Sequence, residues 1–324
     1  MTVTKTLTWE LRVLAMCGAI CAAPALAEDF TPPDILILGD SQLSFGAGPV
    51  FLDFFSNLHE NCAMSATQST QLDQLDQSRV SVIGVRSTSV PSWIATGGRA
   101  KDTVCKVDPT WRVNAGSYGY QNTSGNQYVQ IGQGAPYQFC AAGQSPLQHM
   151  FRDDYYDPSL VVFNFLGNSA RRWADSPERA IQDVTEMMAQ LPDDQACIFM
   201  TTAPAYRQNT VDLRLRAQDN LQAAFDVVGQ QCTFVEGATP ETIAANLGNA
   251  SHFRRRANGT VKDPFHPNTA ASETFFDLQR GAICDAIFAE LDPAPAEPFL
   301  VVSTMDESMY DMPVVAVAKV VTAN

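Results

Sequence analysis

The chain has 324 residues, 45% of them hydrophobic and 17% charged, and its 35 acidic and 21 basic side chains leave a net charge of −14. A surplus of that sign repels phosphate backbones and anionic lipid headgroups, which argues against nucleic acid and acidic membrane surfaces as partners. The length suits one large α/β domain, and no internal repeat divides it.

Residues 1–27 have the pattern of a secretory signal peptide. Lys5 and Arg12 precede an apolar run from Val13 to Ala23, and Ala25-Leu26-Ala27 forms a small-x-small cleavage site before Glu28. The run falls short of the roughly 20 residues a spanning helix needs, so no membrane anchor is expected after cleavage. Cleavage removes Lys5, Arg12 and Glu10, and the remaining charge is 19 minus 34, or −15. Cys17 and Cys21 leave with the signal, and Cys62, Cys105, Cys140, Cys197, Cys232 and Cys284 stay. In an exported chain without a Cys-x-x-Cys spacing, six thiols predict disulfides rather than a metal or redox site. Spacing alone does not fix the pairing. The expected set is Cys105–Cys140 within one long loop, Cys197–Cys232 between neighbouring strands, and Cys62–Cys284 between the first and last helices.

The apolar run Ile35 to Leu38 ends abruptly in Gly39-Asp40-Ser41. It reads as a buried parallel strand that delivers a serine to the carboxyl edge of a sheet, where open α/β sheets bind ligands. Val50 to Cys62 has helical spacing, with Phe51, Phe54, Phe55 and Leu58 on one stripe and His59 at the surface. Val80 to Val85 is the second strand, and Arg86-Ser87-Thr88-Ser89 follows it. Residues 96–144 are rich in Gly, Asn, Gln and aromatics, including Trp111, Tyr118, Tyr120, Tyr128 and Tyr137. A segment that long is an insertion whose aromatics either stack on carbohydrate or pack the loop itself.

Ser145 to Phe151 reads as a short helix with a structural His149. Leu160 to Leu166 is the most apolar run after the signal, a central strand that ends in Gly167-Asn168-Ser169. Asn164 within it needs a partner for its amide. Ser176-Pro177-Glu178 starts a helix whose buried stripe is Ile181, Val184, Met188 and Leu191. Cys197 to Thr202 is the fourth strand, Thr210 to Val228 a helix closed by Gly229, and Cys232 to Val235 the fifth strand. A final helix runs from Thr269 to Leu291, with Phe275, Leu278, Ile283 and Ile287 predicted inward. Residues 292–324 form a Pro/Ala/Glu linker and a valine-rich tail that either makes an edge hairpin or stays poorly ordered. Strands alternating with helices imply a parallel sheet covered on both faces.

Polar groups gather at one edge of this expected sheet: Ser41 after the first strand, Gly84 to Ser87 after the second, and Asn168 after the third. Asp263-Pro264-Phe265-His266 lies just before the last helix. Acyl transfer needs such a set. A histidine takes the serine proton, a carboxylate fixes the imidazole tautomer, and N–H donors collect the developing oxyanion. Singly, each residue also reads as an ordinary turn or cap residue.

In order and spacing, Gly39-Asp40-Ser41, Gly84, Gly167-Asn168 and Asp263-x-x-His266 resemble the four blocks of the SGNH (GDSL-like) hydrolase family over residues 34–290. The resemblance implies a three-layer, flavodoxin-like α/β fold with a five-stranded parallel sheet, occupying residues 28–291. It implies Ser41 as nucleophile, His266 as base and Asp263 as its orienting carboxylate. Ser41, Gly84, Ser87 and Asn168 would supply the oxyanion donors. Two positions depart from the family pattern: Ser87 stands where a second glycine is usual, and Ser169 where an acid often follows the asparagine. The implied activity is hydrolysis of small acyl esters, most plainly O-acetyl groups on a glycan. A glycan O-acetyltransferase using the same triad and a weakly active glycan-binding protein are the alternatives. No dinucleotide fingerprint, P-loop or metal-ligand cluster occurs, so no cofactor is expected.

Overall fold

The computed structural model describes residues 32–62, 65–96, 104, 143–229 and 232–291, together with the backbone of 117–120 and 129–130. The strands in chain order are β1 Ile35–Gly39, β2 Val80–Gly84, β3 Ser117–Tyr120, β4 Val129–Gln130, β5 Leu160–Asn164, β6 Cys197–Met200 and β7 Thr233–Val235. Every residue of β1 is buried, as is every residue of β5, which places both strands mid-sheet with cover on each face. The sheet order is β4-β3-β2-β1-β5-β6-β7. β2, β1, β5, β6 and β7 are mutually parallel, the five-stranded sheet that the alternation predicted, in the flavodoxin-like order. The order reverses between β1 and β5, and Ser41 lies at that switch point.

The segment read as an insertion adds to the sheet. β3 pairs antiparallel with β2, and β4 pairs antiparallel with β3, so the β2 edge carries a two-strand extension. Antiparallel neighbours need no crossover helix, and Gly-rich, weakly alternating strands leave little trace in a hydrophobic pattern. Cys105 and Cys140, Trp111, Tyr128 and Tyr137, the segment read as a signal peptide and the tail lie outside the described residues.

Alternate residues of β1 feed two separate cores, as the two-residue strand period requires. Ile35 and Ile37 face one layer, made of α1 (Gly48–Ser56), α2 (Leu58–Asn61), α3 (Ala66–Leu72) and the last long helix, Thr269–Glu290. Leu36 and Leu38 face the other, with Trp93 from α4 (Val90–Ile94), Met150 from α5 (Pro146–Met150) and Trp173 from α6 (Ala170–Asp175). α7 (Pro177–Met188) and α8 (Gln208–Val228) complete that layer, and Met187 and Met188 are core residues within it. α9 (Pro240–Asn246) and α10 (Thr269–Glu290) follow β7.

Local signals placed the helix starts. Ser176 caps α7 with Pro177 at its first position, and Ser145 and Gln148 form a capping box on α5. Two details differ from expectation. The helix read over Val50 to Cys62 breaks at Asn57 (φ −133°, ψ 41°) into α1 and α2. Leu278, predicted inward, is 45% exposed. At about 100° per residue, the buried set Ser272, Phe275, Phe276, Gln279, Ile283 and Ile287 spans one arc of α10, and position 278 falls outside it.

Cys62–Cys284 and Cys197–Cys232 are disulfide-bonded, two of the three expected pairs. The first ties α2 to α10 across a sequence separation of 222. Cross-links of long loops remove the most freedom from the unfolded chain. Replacing Cys62 and Cys284 together by serine should therefore lower stability by about 2–5 kcal/mol in urea denaturation of the oxidised protein.

Candidate active site

Strand register brings the candidate residues to one edge. Gly39 lies directly beside Gly84 of β2 and beside Asn164 of β5. The chain runs on two residues from Gly39 to Ser41, three from Gly84 to Ser87 and four from Asn164 to Asn168. All three segments therefore leave the sheet at the same level. After Ser41 the chain makes one wide π-type turn, Leu43–Ala47, before α1.

That turn packs directly on Gly84. A Cβ at this position would lie 2.5 Å from Cβ of Leu43 and 3.0 Å from the Ser44 nitrogen. The Gly84 carbonyl also accepts the Ser44 hydroxyl at 2.6 Å. The contacts seen for Gly84 thus hold the turn that carries Ser41. Ser87 has φ of 63°, a left-handed backbone unusual for a residue with a Cβ. The serine keeps the glycine-like conformation at a steric cost of about 1–2 kcal/mol.

His266 and Asp263 come from the loop before α10. The Ser41 hydroxyl lies 2.9 Å from His266 Nε2, and His266 Nδ1 lies 2.9 Å from Asp263 Oδ2. Asp263 Oδ1 accepts the backbone N–H groups of Phe265 (3.1 Å) and His266 (3.2 Å). A carboxylate only accepts, so Nδ1 carries the hydrogen and Nε2 is left to accept the serine proton. Burial alone would raise the Asp263 carboxyl, but the His266 ring and the two N–H donors outweigh it. The group titrates below the usual carboxylate range. The other three histidines are engaged elsewhere: His59 with Asp73, His149 with Gln144 and His252 with Asn246.

Asn168 is exposed at the tip beyond β5, and its Nδ2 donates to the Thr88 carbonyl at 2.8 Å. An amide nitrogen has two hydrogens, so this bond anchors the side chain and leaves one N–H to offer to a ligand. The Thr88 hydroxyl in turn donates to the Val85 carbonyl, which ties the anchor back to the end of β2.

Behind Ser41, His266 and Asp263 lies a buried polar set that sequence reasoning missed. Asp40 and Arg214 are 1% and 3% exposed. Arg214 donates to the carbonyls of Ala203 (3.0 Å) and Phe265 (3.2 Å), and Gln42 Nε2 donates to the same Phe265 carbonyl at 3.3 Å. Asp40 Oδ1 accepts the Gln42 N–H at 2.8 Å. Gly167 leaves room for this set, since a Cβ there would stand 3.2 Å from Asp40 Oδ2 and 3.4 Å from Gln42 Nε2. Burial raises the Asp40 carboxyl, opposed by the Gln42 N–H, Arg214 and His266. Burial pushes the Arg214 guanidinium down to about 10, opposed by Asp40 and Asp263, so it stays charged at neutral pH. A signal for Arg214 was present in the sequence: it shares the buried face of α8 with Val211, Ala217, Leu221, Ala224 and Phe225, where Gln218 is the other polar side chain.

As arranged, the residues hold a hydroxyl, a base aimed at it, a carboxylate behind the base and a fixed amide donor at one sheet edge. No family model matches the chain, and no curated protein matches it. Among solved structures, it is similar to a DUF4886 family protein from Bacteroides uniformis, 12% identical, covering 80% of this chain and 82% of that one, at a TM-score of 0.35. A family two carbohydrate esterase from Clostridium thermocellum, in complex with cellohexaose, is 12% identical with coverages of 81% and 67% and a TM-score of 0.36. A family 3 carbohydrate esterase from Talaromyces cellulolyticus is 12% identical with coverages of 79% and 99% and a TM-score of 0.38. What the site can do is set by its side chains, not by these likenesses.

Removing one member of a buried charged set strands the others without compensation. Arg214→Met should cost about 3–5 kcal/mol in urea denaturation, several times the effect of a surface Arg→Met control at Arg216.

Proposed function

We propose that the chain is a secreted serine esterase that removes small acyl groups, O-acetyl above all, from a glycan. The observation that carries this reading is the unbroken path from the Ser41 hydroxyl through His266 to Asp263, with 2.9 Å at each step. In the reaction, Ser41 Oγ attacks the ester carbonyl while His266 Nε2 takes its proton. Asp263 holds the imidazole in the required tautomer and stabilises the cation that forms. The carbonyl oxygen becomes an oxyanion held by the Ser41 N–H, the free N–H of the Asn168 amide and the backbone N–H groups of Gly84 and Ser87. Collapse expels the alcohol, which takes the proton from His266 and leaves an acyl-Ser41. A water then repeats the sequence and frees the acid.

The Ser87 backbone fits this role. A left-handed residue turns its N–H away from the direction a strand would give it, which is the use of glycine at such a position. Glycan as the carrier rests on the predicted export and on the amide- and aromatic-rich composition of residues 96–144. Such composition suits stacking against sugar rings, as aromatic faces take up their C–H surfaces.

p-Nitrophenyl acetate tests the chemistry without a glycan. The oxidised protein should turn it over, and Ser41→Ala should fall to the buffer rate. Equal background rates in both proteins would rule out the esterase reading. Asn168→Ala should lower kcat by roughly a hundredfold to a thousandfold, the loss typical of one oxyanion donor, with unchanged urea stability within about 1 kcal/mol.

A further inference from the structure

Positive charge gathers at the triad where the acyl-transfer chemistry does not use it. The Phe45 ring packs on the His266 imidazole, with centroids 4.3 Å apart and planes at 33°. The Arg86 guanidinium lies 4.0 Å from the centre of that same ring, and the Arg254 guanidinium 5.7 Å from it. Two cations and the catalytic imidazole therefore share one aromatic ring. Among the described residues, Arg86 has no carboxylate partner, and Arg254 shares one with the imidazole.

Arg254 approaches Asp263 Oδ2 at 3.6 Å, but His266 Nδ1 already holds that oxygen at 2.9 Å. Arg86 makes no hydrogen bond among the described residues, and its Nε is buried without a partner. Leaving a buried donor unmade costs on the order of 1–3 kcal/mol, more for a charged group. The Arg86 guanidinium titrates below its ordinary range, through burial first and the charge of Arg254 second. A cation–π contact with Phe45 compensates the charge but satisfies none of the N–H donors. An oxyanion that reaches the outer nitrogens supplies the opposite charge and accepts their N–H groups, in a geometry that matches the guanidinium fork.

The side of the substrate follows from the proton path. His266 gives its proton to the departing alcohol, so the alcohol portion must lie against the imidazole, where Phe45 and the two arginines are. We propose that Arg86 and Arg254 bind an anionic group on the alcohol portion, so that the favoured substrates are O-acyl esters of acidic sugars bearing carboxylate or sulfate. This assignment rests on the esterase reading for its orientation, while the anion site itself rests on the two guanidiniums.

The test compares kcat/KM on acetylated polygalacturonate with that on acetylated xylan freed of uronate side groups, for the wild-type protein, Arg86→Gln, Arg254→Gln and the double variant. The acidic polymer should be favoured, each substitution should lower the acidic-to-neutral ratio by about tenfold, and added salt should lower it in the wild type. A ratio that is the same in all four proteins, or a wild-type preference for the neutral polymer, overturns the proposal. If no ester is turned over, the esterase reading fails separately, and binding decides the anion site. In calorimetry, Ser41→Ala should bind trigalacturonate or a sulfated oligosaccharide and not the neutral parent sugar, and adding the double substitution should abolish the heat. Which of the two anions binds distinguishes carboxylate from sulfate. Equal binding of charged and neutral sugars, or no binding of either anion, overturns the assignment.

Discussion

The Phe265 carbonyl is the point on which the site depends. Ser41 and His266 are 225 positions apart, and nothing in either local segment fixes one against the other. Arg214 and Gln42 both donate to that carbonyl, one residue before the histidine. Gln42 adjoins the serine and its N–H is held by Asp40, while Arg214 projects from α8, so a single acceptor joins the serine turn, the histidine loop and a helix of the opposite layer. The Asp40, Gln42 and Arg214 side chains are buried, which strengthens the bonds they make to the half-exposed Phe265 segment.

The sheet contributes the other half of the alignment. Because β2, β1 and β5 are in register at Gly84, Gly39 and Asn164, short extensions of two to four residues bring Ser87, Ser41 and Asn168 to one level. The glycines in this layer serve close approach. Gly84 admits Leu43 against the sheet, and Gly167 admits Asp40 and Gln42 beside the third strand end. Ser87 breaks the local rule by taking a left-handed backbone with a Cβ, and such exceptions concentrate where geometry matters more than stability.

Charge separates the site from the rest of the surface. The chain as a whole is acidic, with a net charge of −14. Beside His266 two guanidiniums converge on one ring, 4.0 and 5.7 Å from its centre. A local field opposite to the net charge attracts an anion to that point while the remaining surface repels it, which favours orientation over general affinity.

What the sequence determined by itself was local. A buried run ending in Gly39-Asp40-Ser41 declares a strand tip, and Asp263-x-x-His266 brings a carboxylate to an imidazole within one turn of chain. Caps such as Ser176-Pro177 mark helix starts because their hydrogen bonds span three residues. The parallel character of the sheet followed from strand–helix alternation, while spacing left the disulfide pairing open. Tertiary structure decided the rest. Residues 117–120 and 129–130 joined the sheet through backbone pairing that side-chain patterns do not record. Leu278 turned outward because the arc that α10 buries is set by the sheet it packs on. Arg214 showed in sequence only as a charge on a mostly apolar helix face, and the two carbonyls it donates to lie on other segments. Phe45, Arg86 and Arg254 meet only when three separate loops close over one edge, because charge and ring contacts act through space and leave no spacing in the chain.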